Sequence, residues 1–247
     1  MILRLRRPKA APERDETPDE LPVEALGLSV RVRRNPRATR FTLSVSRVDG
    51  RPQLTLPQRA SLAEARAFLE RHVGWLEGAV ARVPAARVVA AGRALPFRGT
   101  SVVLEVRPGR FAPRLEDGRL LVCGPPEGAP GRAKAFLKDE ARAALVPAAQ
   151  AYAARLGRRP AKVTLRDTRS RWGSCSSTGA LSFSWRLAMA PPEVLDYVAA
   201  HEAAHLVEMN HAPAFWALVE RLRPDWRDSR DWLRRHGGDL HRVDFGD

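Results

Sequence analysis

The stretch 197-YVAAHEAAHLVEMNH-211 holds three of the six histidines of the chain. His201 and His205 are four residues apart, so an α-helix places both imidazoles on one face, one turn from each other. Two imidazoles at this spacing can each reach one zinc ion at about 2.0–2.1 Å. Glu202 lies about 100° round the helix from His201 and can face the metal without binding it. This H-E-x-x-H spacing predicts two metal ligands and one general base.

A third ligand is predicted at His211, in the turn that follows the helix. On a regular helix this side chain would point about 80° away from His201, so the helix is expected to stop near Met209. Asn210 tolerates the left-handed conformation that ends many helices, and Pro213 disfavours continuation of the same helix. Three protein ligands would leave a fourth position for water, as catalytic zinc sites require.

Glu208 is the alternative to His211 as the third ligand. It lies seven residues after His201, on nearly the same face of the helix. Its carboxylate could bind the metal directly, or it could accept the second imidazole N–H of a ligating histidine. The residues alone leave both roles open.

Several motifs around this helix carry a family resemblance. They are 201-HEAAHLVEMNHAPAFW-216, the upstream 171-RWGSCS-176, the strand-like 179-GALSFSWRL-187 between them, the earlier 33-RRNPRATRFTLSV-45, and the helix ending in 73-VGWLE-77. With them, residues 25–236 resemble the YgjP-type metallopeptidase-like family, relatives of the SprT-like zincins. One departure is Ala203, which stands where a bulkier apolar residue is usual.

The resemblance implies a role for each residue that matches the family pattern. It implies that the strand before the metal helix, here Ala180–Leu187, edges the active-site cleft, where it could bind a peptide by strand addition. An ordinary core-facing strand is the alternative interpretation. It also implies that the zinc ligands are His201, His205 and His211 and that the catalytic base is Glu202. The residues that surround them in the family pattern are Asn210, Phe215 and Trp216.

The composition limits the partners and the location. The chain has 42 Lys and Arg residues against 28 Asp and Glu, a formal net charge of +14. Because the basic residues are spread along the chain, the charge is interpreted mainly as compositional, with weak nucleic-acid binding as a further hypothesis. Two cysteines do not make a disulfide framework, and neither a signal peptide nor a membrane-spanning run is present. These features predict a cytoplasmic protein without a membrane partner.

The hydrophobic patterns predict an α+β fold in two parts. Residues 1–21 lack periodicity and are predicted to form a disordered leader. Residues 22–125 are predicted to form a β-rich N-terminal domain with an antiparallel sheet and one helix, from Ser61 to Val80. A boundary is expected at the Pro/Gly-rich stretch 124-GPPEGAPG-131.

The second part, residues 131–237, is predicted to be helical, with a small sheet and the H-E-x-x-H helix. By its resemblance it is a zincin-like metallopeptidase domain. A last helix is expected to end at Gly237 and Gly238, and residues 238–247 are expected to fray as a tail. The remaining histidines, His72, His236 and His241, are interpreted as ordinary helix or solvated residues.

The function predicted from these residues is a Zn²⁺-dependent metallopeptidase that hydrolyses peptide bonds. Arg171 and Tyr197 are near enough in sequence to stabilise an oxyanion, while Cys175 is interpreted as a small buried hydrophobe. Two other functions stay open. One is a nucleic-acid-associated SprT-like protein, in which DNA binding directs or replaces proteolysis, and the other is a zinc hydrolase of a non-peptide amide.

Overall fold

A computed structural model describes residues 18–46 and 50–246, and it divides the chain into two compact units, Met1–Pro84 and Ala85–Asp247. Of the predicted leader, residues 1–21, the first 17 residues lie outside the described part of the chain. Its last part is ordered, because the first strand covers Glu20–Val23 and buries Leu21 and Val23.

The first unit contains one four-stranded sheet. Its strands pair in the order β1-β2-β4-β3, and β2 and β4 run parallel. The predicted antiparallel sheet is therefore mixed, because the β3–β4 hairpin turns β4 back into the direction of β2. The strands are β1 (Glu20–Val23), β2 (Leu28–Asn35), β3 (Thr42–Val45) and β4 (Pro52–Pro57).

Two helices follow this sheet where the sequence predicted one. Helix α1 (Leu62–Arg71) begins with a capping box, in which Ser61 and Glu64 satisfy each other's backbone N–H groups. The helix breaks at His72, whose imidazole stacks on Phe68, and α2 (Val73–Ala81) starts anew. His72 is therefore the residue at the break rather than one inside a continuous helix.

The second unit begins with a sheet of the same strand order. Its strands pair as β6-β7-β9-β8, and again the middle pair, β7 and β9, runs parallel. The strands of this sheet are β6 (Ala94–Phe97), β7 (Thr100–Arg107), β8 (Arg114–Glu116) and β9 (Arg119–Cys123). The short strand β5 (Arg87–Val88) precedes them and lies outside this sheet.

No unit boundary falls at the Pro/Gly-rich stretch 124–131. A 3-10 turn at Pro126–Gly128 leads directly into α3 (Ala129–Arg155), which continues through Pro147. Leu137 of α3 and Leu120 of β9 lie in one hydrophobic core. The division lies instead between Pro84 and Ala85, so burial of this helix against the sheet outweighs the local turn signal.

A three-stranded sheet and three more helices complete the second unit. The sheet has the order β10-β12-β11, with β12 between its two neighbours. The strands are β10 (Lys162–Arg166), β11 (Gly173–Cys175) and β12 (Ala180–Ser184), the helices are α4 (Pro192–Ala204), α5 (Pro213–Leu222) and α6 (Trp226–His241), and β13 (Val243–Asp244) pairs with β5. In the part of the chain that the structure describes, none of the helices has the length and apolarity of a membrane span.

The predicted end of α6 at Gly237 is wrong, and so is the frayed tail. A Cβ atom at Gly237 would lie 2.9 Å from the Trp172 ring, so this glycine permits close packing rather than ending the helix. Beyond the helix Val243 and Phe245 are buried. Arg186 donates hydrogen bonds to the Leu240 and Val243 carbonyls, which anchors the tail.

His241 is half-buried rather than solvated. Its ring stacks on Trp172 with centroids 4.5 Å apart, and its Nδ1 atom is buried without a hydrogen-bond partner among the described residues. Burial, together with the nearby Arg186 charge, lowers the pKa of His241 to about 4.

We expect this histidine to destabilise the protein in acid. The folded pKa lies below the ordinary value of about 6.5, so stability present above pH 6.5 is lost as the pH falls toward 4. His241→Phe keeps an aromatic ring on Trp172 but does not titrate. The loss in unfolding free energy over this pH range should therefore be about 1–3 kcal/mol smaller in the variant. Urea unfolding with a chelator present measures it, and equal pH profiles would contradict it.

Candidate metal centre

Helix α4 carries the H-E-x-x-H residues at its C-terminal end. Pro191 and Pro192 open the helix, which packs through small buried residues that include Ala199, Ala200 and Ala203. Ala203 has no exposed surface, so the alanine in place of a bulkier residue is fully packed.

The helix ends earlier than the sequence predicted. Its last residue is Ala204 rather than one near Met209, and His205 follows in a right-handed helical conformation at φ −65° and ψ −16°. His205 therefore keeps its place one turn beyond His201.

The turn to His211 is built differently from the prediction. Within residues 18–46 and 50–246, Arg98 and Asp117 are the non-glycine residues with positive φ, so Asn210 is not left-handed. Instead, the Asn210 Oδ1 atom accepts a hydrogen bond from the Ala212 N–H at 3.0 Å. This side-chain turn reverses the chain before Pro213 starts α5.

The structure brings His201, His205 and His211 together. One potential ligand atom from each lies within 4.8 Å of the others. The Nε2 atoms of His201 and His211 are 3.1 Å apart, and two nitrogens bound at 2.0–2.1 Å in a tetrahedral site are about 3.3 Å apart. This spacing fits one small divalent ion between them.

The Nδ1 atoms of His201 and His205 contact other groups of the protein, so the Nε2 atoms of these two histidines remain available to bind such an ion. The His205 Nδ1–H donates to the backbone carbonyl of Glu208 at 2.9 Å, and the His201 Nδ1 atom faces the Tyr197 hydroxyl at 3.4 Å. The carbonyl acceptor fixes the tautomer of His205, with its proton on Nδ1. Glu208 thus contributes its backbone carbonyl, and its carboxylate is not part of the histidine cluster.

The electrostatic environment keeps the helix histidines neutral. Burial, with added repulsion from the charges of His205, His211 and Arg230, lowers the pKa of His201 to about 3. Burial also lowers the pKa of His205. Metal binding requires the deprotonated imidazole, so both side chains are in the binding form at neutral pH.

Glu202 lies beside the cluster in a tight pocket. Glu202 is only 5% exposed to solvent. Burial raises the pKa of Glu202 to about 8, while the charge of Arg171 acts in the opposite direction. A carboxyl group with a pKa near neutrality can both accept and return a proton.

Gly173 forms one wall of this pocket, and the sequence did not single it out. A Cβ atom at this position would lie 2.5 Å from both Cγ and Oε1 of Glu202, so the backbone of β11 lies directly against the carboxylate. The available sequence signal for this contact was the glycine inside the RWGSCS motif, but Glu202, the residue it contacts, is 29 residues away along the chain.

Aromatic side chains form a second wall. Phe215 stacks on His205 with ring centroids 4.4 Å apart, and Trp216 lies 5.7 Å from His211 at an interplanar angle of 27°. Trp226 of α6 stacks in turn on Trp216 at 4.5 Å. Phe215 and Trp216, expected from the resemblance, are therefore in contact with the histidines, and Trp226 extends the wall.

The expected strand at the cleft needs correction. Ala180–Leu187 does not form an open edge, because β12 ends at Ser184 and pairs with β10 on one side and β11 on the other. The strand edge beside Glu202 belongs to β11, which is short and lies outside β12 in the sheet.

The remaining candidate residues have distinct environments. Arg171 is exposed, and its charge acts on the Glu202 carboxylate. Tyr197 is buried, and burial raises its pKa to about 12. Cys175 is a free, half-buried thiol whose pKa is raised by burial and by the Glu202 charge. His236 lies near Asp239 on α6, away from the cluster.

These features define a class of protein: an α+β chain whose H-E-x-x-H helix meets a third histidine from the following turn. Residues 39–236 match the YgjP-like metallopeptidase domain. The chain therefore belongs to the YgjP-like metallopeptidase family, as the motifs indicated. Neither a curated protein nor a solved structure matches it.

Proposed function

We propose that this protein is a zinc-dependent peptidase, with His201, His205 and His211 as the zinc ligands. The observation that supports this most directly is the convergence of His201, His205 and His211 on one point, with the buried Glu202 next to His201 on the same helix. Three histidine ligands with an open fourth position are typical of catalytic rather than structural zinc. The family match supports a peptide or protein as the substrate.

Glu202 is the proposed general base. A divalent ion held by the three histidines would supply Lewis acidity, which polarises a carbonyl and lowers the pKa of a coordinated water. Glu202 then accepts a proton from the attacking water and passes it to the leaving amine. Glu202 directly follows His201 on α4, and its carboxyl group is buried against Gly173, which supports this role.

The β11 edge is the proposed support for the substrate backbone. Gly173–Cys175 is paired with β12 on one side, and no other described strand pairs with its second side. Glu202 contacts this strand at Gly173, along the direction in which a Cβ atom would point. An extended peptide can add to such an edge through backbone hydrogen bonds. This arrangement would carry the scissile carbonyl past the histidine cluster.

We expect His211→Ala to lower zinc affinity by a factor of 10 or more, because two ligands remain where three were present. Zinc content and competition with a chromogenic chelator measure the change. His236→Ala is the matched control, since this histidine lies on α6 outside the cluster, and it should bind zinc like the wild type. Unchanged affinity in His211→Ala would remove this ligand assignment.

A peptide-library assay tests the activity itself. Wild-type protein loaded with zinc is expected to cleave, and chelation or His211→Ala is expected to abolish cleavage. A folded, zinc-loaded protein that cleaves no peptide would contradict the proposal. Nucleic-acid binding, hydrolysis of a non-peptide amide and a cytoplasmic location stay predictions from the sequence.

A further inference from the structure

Arg230 of α6 lies on the aromatic wall of the candidate site. Its guanidinium carbon is 4.9 Å from the centre of the Trp216 ring and 5.6 Å from that of Trp226. Trp216 in turn stacks on His211 and meets His201 edge to face at 5.9 Å. A single ring therefore separates this cation from the proposed metal ligands.

Arg230 has no carboxylate partner among the described residues. Its neighbour Arg227 also stacks on Trp226, at 4.7 Å, but pairs with Glu220 at 2.9 Å. Arg223 is paired as well, with Asp225 at 2.7 Å. Among residues 18–46 and 50–246, no acidic side chain forms an ion pair with Arg230, which is exposed.

Stacking prepares this guanidinium for one kind of ligand. An arginine lying on an aromatic face keeps its N–H groups free at the edge of its plane. Those groups match a carboxylate in a two-point contact. Because two indoles already hold the side chain, less conformational entropy is lost when a ligand binds.

We propose that Arg230 binds a carboxylate group of the peptide substrate, close to the bond that is cleaved. The guanidinium is 4.9 Å from the Trp216 ring, and that ring is 5.7 Å from the His211 ring. Because an extended chain advances about 3.3 Å per residue, the carboxylate belongs to a residue within about three positions of the scissile carbonyl. The group is either an Asp or Glu side chain or the C-terminal carboxylate of a short peptide. This inference rests on the proposed peptidase function.

Matched peptides test the inference and separate the two sources. The two peptides of the first pair differ only in having Glu or Gln at one position, which is varied through three positions on each side of the cleaved bond. The second pair differs only by a free against an amidated C-terminus. Wild-type protein is expected to favour the charged member of one pair by roughly 10- to 100-fold in kcat/KM, the effect of one hydrogen-bonded charge pair. The pair that shows the preference identifies the source.

Substitutions at Arg230 should remove this preference without removing hydrolysis. Arg230→Gln is expected to cleave both members of the pair at similar rates, and Arg230→Glu to prefer a basic peptide. Arg230→Lys keeps the charge but loses the planar fork, so it should retain part of the preference. Arg227→Gln is the control, because it removes a stacked but neutralised arginine from the same helix, and it should retain the full preference.

A binding measurement gives a readout that does not need turnover. Fluorescein-labelled Glu and Gln peptides are titrated by anisotropy onto full-length Glu202→Gln protein, with and without the Arg230→Gln change. Tighter binding of the Glu peptide that depends on Arg230 and weakens with salt supports the inference. Equal wild-type cleavage of charged and neutral peptides would overturn it while leaving the peptidase function intact, whereas absence of cleavage of every peptide would overturn the function itself.

Discussion

Glu202→Gln is expected to lower peptide hydrolysis by about 10²–10⁴-fold, the usual contribution of one positioned acid–base group. Glutamine has nearly the same shape, so it fills the pocket against Gly173. It cannot accept the proton of the attacking water at neutral pH. Zinc content should stay at the wild-type level, because the carboxylate is not one of the clustered ligand atoms.

Glu193→Gln supplies the matched control for this substitution. Glu193 lies in the first turn of the same helix and is exposed to solvent, so its loss should leave kcat/KM unchanged. Activity is measured on one peptide from the library assay, at equal zinc occupancy. If Glu202→Gln retained wild-type activity with zinc bound and the fold intact, the assignment of the general base would be lost.

Gly173→Ala is expected to reduce activity by about 10²-fold or more, the loss that follows from a displacement of about 1 Å in a catalytic group. The added Cβ atom would lie 2.5 Å from the Glu202 carboxyl group, closer than atoms of neighbouring residues can approach. The carboxyl group must therefore move. Crowding of this kind also lowers stability by about 1–3 kcal/mol, which thermal unfolding measures.

A double-mutant cycle shows whether this effect passes through Glu202. In the Glu202→Gln background, Gly173→Ala should cost little further activity, because the base is already absent. Gly131→Ala is the control: it has open space around its Cβ position in α3, so it should leave the activity unchanged and should not lower the midpoint of thermal unfolding, because alanine favours a helix more than glycine does. Fully additive losses would show that Gly173 acts on something other than Glu202.

Local patterns predicted that His201, His205 and His211 lie together, because these residues are close along the chain. His201 and His205 meet through the helical repeat alone, and His211 follows within one turn. Helix α5 begins at Pro213, the proline that was predicted to prevent continuation of the H-E-x-x-H helix. The α+β class followed in the same way from the alternation of strand-like and helical periods.

Features that depend on tertiary packing could not be predicted in this way. Gly173 meets Glu202 and Gly237 meets Trp172 only in the folded chain, and a glycine in sequence signals a turn more often than a close approach. Likewise, Arg230 is one arginine among many until α6 packs its indole neighbours beside His211. The position of β12 inside its sheet depends on pairing partners that periodicity does not specify.

The pairing of β13 with β5 brings the two ends of the second unit side by side. Val243 lies opposite Arg87, and Asp244 opposite Val88. Arg186, itself 8% exposed, holds the same segment through the Val243 carbonyl and pairs with Asp167 at 2.7 Å. Val243 and Asp244 thus join the two ends of the second unit, and a truncation before Val243 would leave β5 without its pairing strand.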